Sequence, residues 1–120
     1  MRAPAILLFS AALALAADVT GNWSGRTRMS VNGQVQEDTM YLSLKQTGNK
    51  LTGTAGPSAQ EQAPIRSGKV EEGRVTFELP VPNGAFQFTL TLEGDQLKGD
   101  IVAAAQGQTF KATLEARRAR

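Results

Sequence analysis

Past residue 17, the residues nearest to catalytic types are two carboxylate pairs, Glu37-Asp38 and Glu71-Glu72, and the serines Ser24, Ser30, Ser43, Ser58 and Ser67. Adjacent residues on a strand point to opposite faces, so neither pair forms an acid–base dyad. Both are expected as solvated turn or edge positions. A serine nucleophile needs a base, and this chain has no histidine and no Gly-x-Ser-x-Gly elbow. The missing histidine also removes the commonest metal ligand and the usual pH switch. No Asp-x-Asp or Glu-x-x-Asp cluster gathers hard oxygen donors. Tyr41 and the arginines are further candidates, and nothing in their spacing favours an active site. The expectation is a non-catalytic protein with no cofactor and no metal.

What remains is binding chemistry carried by large apolar side chains. Trp23, Met40, Leu42, Phe77, Phe86, Phe88 and Phe110 are the candidate ligand-cup or core residues. All fall on alternating positions, so their role depends on the strands that carry them.

The two ends are read apart from those strands. Arg2 followed by the apolar run Ala5 to Ala16, with Ala14-Leu15-Ala16 at its end, has the pattern of a cleaved signal peptide over 1–17. The run is too short to remain as a membrane span. The expected location is exported, periplasmic or extracellular. No cysteine follows the run to carry a lipid anchor, and the chain has none for a disulfide. Stability must therefore come from burial and strand pairing. Residues 18–116 are expected as one domain and 117–120 as a basic tail. Because Arg117, Arg118 and Arg120 lie in that tail, the body over 18–116 is slightly acidic, which argues against nucleic-acid binding.

From residue 20 onward the pattern has period two with turn chemistry at short intervals. Eight strands are predicted, over about 22–30, 35–46, 50–55, 65–71, 74–79, 85–93, 96–104 and 108–116. Asn32-Gly33 has the composition of a tight hairpin turn, and Pro80–Gly84 is expected as a longer one. Ile65 and Val70 differ in parity, so the fourth strand needs a bulge, with Gly68 its natural place. Phe110, Ala112 and Leu114 are expected inside the last strand. The segment Met40–Thr54 lines up with Phe86–Asp100, both reading as an alternating strand, a Gly-Asn or Gly-Asp turn, then Leu-x-Gly.

These features predict an all-β fold, an eight-stranded antiparallel up-and-down barrel, with a two-sheet β-sandwich as the alternative. An outer-membrane barrel is not expected. Its lipid-facing side would carry Arg26, Arg28, Lys45, Arg74, Lys98 and other charges. The inward Gly25, Gly53, Gly99 and Ala112 either leave room inside or let strands coil tightly at barrel corners.

Gly21-Asn22-Trp23 together with Leu51-Thr52-Gly53-Thr54 resembles the calycin-like small barrels, lipocalins and avidins among them, and short exported bacterial barrel proteins of no known function. The resemblance implies a barrel whose Trp23 plugs the closed end. It does not extend to a biotin pocket: the chain has one tryptophan, and Ala55 stands where avidins place an aromatic. The functional expectation is an exported barrel that binds a small apolar or amphipathic ligand, or a partner, at its open end. The alternative is a filled barrel that contacts an envelope protein or polysaccharide through the loop over 56–64.

Overall fold

Asn32 and Gly33 both adopt positive φ, 52° and 81°, the geometry that lets a two-residue turn match the twist of its flanking strands. They fold β1 (Gly21–Val31) back on β2 (Gln34–Thr47), paired from Gly21↔Leu44 to Val31↔Gln34. The computed structural model describes residues 18–105 and 107–119. The expected signal peptide over 1–17 lies outside the described residues, as does Arg120.

Gly48 and Gly94, at φ 63° and 62°, begin two further turns. These join β2 to β3 (Lys50–Gly56), and β7 (Gly84–Glu93) to β8 (Gln96–Ala105). β6 (Arg74–Val81) leads into β7 through Pro82 and Asn83 alone. The turn is thus shorter than the sequence suggests. Proline fixes its own φ and Asn83 takes a φ of 67°, so pairing continues to Val81↔Gly84 with Pro80 inside the strand.

The fourth strand is broken in two. β4 (Ala63–Pro64) and β5 (Arg66–Glu71) both pair with β3, and the Ile65 amide donates to the Gly53 carbonyl between them at 3.0 Å. The β5–β6 register shifts between Arg66 and Lys69, where Ser67 has a φ of 57°. This bulge reconciles the parity of Ile65 and Val70, and both pack on the core.

β9 (Gln108–Arg118) pairs with β8 and returns to β1. Because β2 pairs with β3 as well as with β1, the sheet closes on itself. With β4 and β5 counted as one course, the result is a closed eight-stranded up-and-down barrel rather than a sandwich. The last strand runs to Arg118, two residues into the segment expected as a tail. No helix among the described residues is long and apolar enough to cross a membrane.

Inward positions carry the core: Trp23, Leu44, Leu51, Val70, Val75, Phe77, Leu90, Leu97 and Leu114 are all buried. No polar or charged side chain is buried among the described residues. Asp18, Val19 and Thr20 cross the closed end, where Val19 is fully buried. The Trp23 indole Nε1 donates to the Val19 carbonyl at 3.0 Å, and the Val19 amide donates to Gln46 Oε1 at 3.0 Å.

Candidate functional site

Alternation decides which side chains enter the barrel; their size decides how far up it is filled. Toward the closed end the inward positions hold Trp23, Leu44, Leu51, Phe77 and Leu97, which fill the interior. Toward the β1–β2 and β6–β7 turns they hold smaller or thinner groups, among them Met29, Met40, Ala55 and Ala112. A cavity of ≈ 620 Å³ results, open at that end. Leu79, Phe86, Phe88 and Ile101 form its wall on the β6–β8 side. Phe88 stacks on its cross-strand neighbour Phe77, ring centroids 4.4 Å apart and planes 18° from parallel. Such an aromatic pair contributes about 0.5–1.5 kcal/mol beyond its buried area and anchors Phe88 to the core below.

The loop between β3 and β4 forms the opposite rim and is tied down by side-chain hydrogen bonds, most of them from Gln62. Gln62 Oε1 accepts from Thr54 Oγ1 at 2.7 Å, while its Nε2 donates to the Ser58 carbonyl at 2.8 Å and the Tyr41 carbonyl at 3.2 Å. Thr39 Oγ1 donates to the Pro57 carbonyl at 3.0 Å. Pro57, Glu61, Gln62 and Ala63 line the cavity. The loop over 56–64 is therefore a wall of the cup.

The seven sequence-predicted residues separate by height in the barrel. Met40, Phe86 and Phe88 line the cavity. Leu42 and Phe77 are buried in the core and do not line it. Trp23, 1% exposed, lies at the closed end, with the Arg118 guanidinium 4.5 Å from its ring centroid. Phe110, expected inside, is 40% exposed. Its inward parity is right, but the pairing of β9 with β1 ends at Met29↔Ala112, so no neighbouring strand covers it on that side.

Among the cavity residues outside the sequence-predicted set, Met29, Leu79, Ile101 and Ala112 carry the inward parity that the sequence displays. Asp38 also shares the inward parity of Met40, Leu42 and Leu44, whereas Glu61 and Gln62 carry no such signal, because the loop path brings them to the rim. Glu37 and Asp38 part to opposite faces. Glu37 meets Arg28 at 2.7 Å on the outside, and Asp38 lines the mouth. The hydrogen bond and charge of Arg28 hold the Glu37 carboxyl below its usual range. Glu78 is lowered by hydrogen bonds from Gln87 and Arg66. Asp18 is lowered by accepting from the Thr20 amide.

A solved structure has a similar fold. The crystal structure of Rv2717c from M. tuberculosis aligns over 100% of both chains, with a TM-score of 0.51 and 15% sequence identity. The likeness is one of fold. No family model matches the chain, and no curated protein matches it.

Proposed function

We propose that this chain is an exported, calycin-like, non-catalytic barrel that takes a small apolar or amphipathic ligand into its open cup. The observation that carries the reading is the cavity at the open end of the barrel. A cavity of ≈ 620 Å³ walled by Met40, Leu79, Phe86, Phe88 and Ile101 falls within the range of about 300–1,000 Å³ of small-molecule sites. Met29 and Met40 add an adaptable surface, since thioether side chains repack around ligands of different shape. The calycin-like part is supported by Gly21-Asn22-Trp23 on β1 and the position of Trp23 at the closed end. Export is supported by the apolar run over 5–16.

The test is titration of the protein with the neutral dye Nile red, beside native mass spectrometry of protein purified without detergent. Saturable one-to-one binding is expected, and Ala112→Phe, which places a ring in the cavity, weakens it about tenfold or more while the barrel still unfolds cooperatively. An empty barrel that binds no dye sinks the reading. The second reading, contact with an envelope protein or polysaccharide through the loop over 56–64, is favoured by the outward exposure of Ala59 and Gln60 at its crest.

A further inference from the structure

The cup has two unlike walls. Leu79, Phe86, Phe88 and Ile101 make one side apolar. All the polar lining residues, Thr27, Asp38, Thr39, Glu61 and Gln62, come from β1, β2 and the loop after β3. Most of that polarity is already engaged in holding the rim. Thr27 Oγ1 donates to the Asp38 carbonyl at 3.4 Å, Thr39 Oγ1 donates to the Pro57 carbonyl, and the Gln62 amide makes three bonds. The carboxylates of Asp38 and Glu61 remain, and neither forms an ion pair or a side-chain carboxylate hydrogen bond among the described residues.

No lysine or arginine lines the cavity. The nearby cations belong to the outer face: Arg26 and Arg28 pair with Glu37, and Arg66 pairs with Glu78. Lys111 lines a separate groove between β1 and β9, with Arg28 and Asp100. Ionised carboxylates only accept hydrogen bonds. A ligand head at this rim therefore meets acceptors and negative charge, while its body meets a wall with no buried polar partner. An anionic head would lose solvation and face like charge.

We propose that the cup selects a cationic amphipath, an apolar body bearing a protonated amine, over the neutral and anionic molecules of the same length, with Asp38 and Glu61 as the specificity-determining residues. This rests on the cup reading above.

The experiment displaces Nile red at pH 7 and low salt with decylamine, decanol and decanoate, each below its aggregation concentration. The amine is expected to bind about fivefold more tightly than the alcohol, in keeping with the modest strength of exposed charge pairs, and decanoate most weakly. The amine-to-alcohol ratio is expected to fall toward one in 0.5 M NaCl and in the double variant D38N/E61Q. Equal displacement by all three, or a ratio unchanged in the double variant, overturns the proposal and leaves the cup reading standing. Failure of Nile red itself to bind overturns both.

Discussion

Arg118 touches four parts of the closed end at once. Its guanidinium lies over the Trp23 ring, bonds Asp95 Oδ1 at 3.1 Å, and donates to the Thr20 and Asp18 carbonyls at 2.7 and 3.2 Å. The segment that crosses the barrel floor is thereby held to the last strand and to the β7–β8 turn. A cation over a tryptophan contributes about 0.5–2 kcal/mol, and a net hydrogen bond to a charged group about 1.5–3 kcal/mol. The side chain is 27% exposed, so the lower part of that range applies. Arg118→Ala is expected to cost about 2 kcal/mol, roughly a 10 °C fall in Tm for a domain of this size. Arg118→Lys should recover only part, because an ammonium keeps the charge but loses the planar fork. Full recovery by lysine would show that the fork is dispensable. Arg118 continues the inward parity of Ala112 and Leu114, but it lies beyond the strand end expected near 116, so the sequence does not single it out. Its role follows from the pairing Trp23↔Arg118, which joins the first strand to the last. Phe110 was illegible for a related reason, since parity gives the face of a residue but not where the neighbouring strand stops.

The internal repeat is the most legible element, and it survives in three dimensions. Leu44↔Gly53 and Leu90↔Gly99 are equivalent pairs in equivalent hairpins, β2–β3 and β7–β8, on opposite sides of the barrel. A Cβ at Gly53 would fall on the Ser43 carbonyl oxygen, and one at Gly99 on the Thr89 carbonyl oxygen. The two glycines therefore permit close backbone approach, which decides between tight coiling and added room in favour of coiling. Gly99→Ala is expected to cost about 1–3 kcal/mol, the scale of overpacking. Gly53→Ala should cost more, because its φ of 145° adds backbone strain. Urea unfolding of both variants checks the order, and a neutral Gly99→Ala would contradict the close approach. Turn composition also read through: Asn32-Gly33 forms its hairpin, and Ser67-Gly68 carries the bulge that parity required. The division of the fourth strand into β4 and β5 was not legible, since it depends on how the loop over 57–62 re-enters the edge of β3.

For the molecule as a whole, period-two alternation revealed the barrel because that pattern is set by one face being dry. The cup was less legible. Its volume depends on which inward residues share a height, and register around a closed sheet is not written in any single strand. Charge, in contrast, acts on stability through local pairs. Asp18, Glu37 and Glu78 each have a carboxyl held below its usual range by hydrogen bonds and neighbouring arginines. In the unfolded chain those partners are gone, so the unfolded state takes up protons first as the pH falls. Stability from these groups is therefore complete above the ordinary carboxylate range, 3.8 for Asp and 4.5 for Glu. It declines as pH drops through that range toward the lowered folded values. From pH 7 down to about 5 the three groups add no slope, and the chain has no histidine to add one. Tm measured across pH 7 to 3 should thus be level at first and then fall below about pH 4.5. The double variant E37Q/E78Q, which cannot gain these protons, should show a shallower fall. A fall as steep as that of the parent would place the acid sensitivity elsewhere in the barrel.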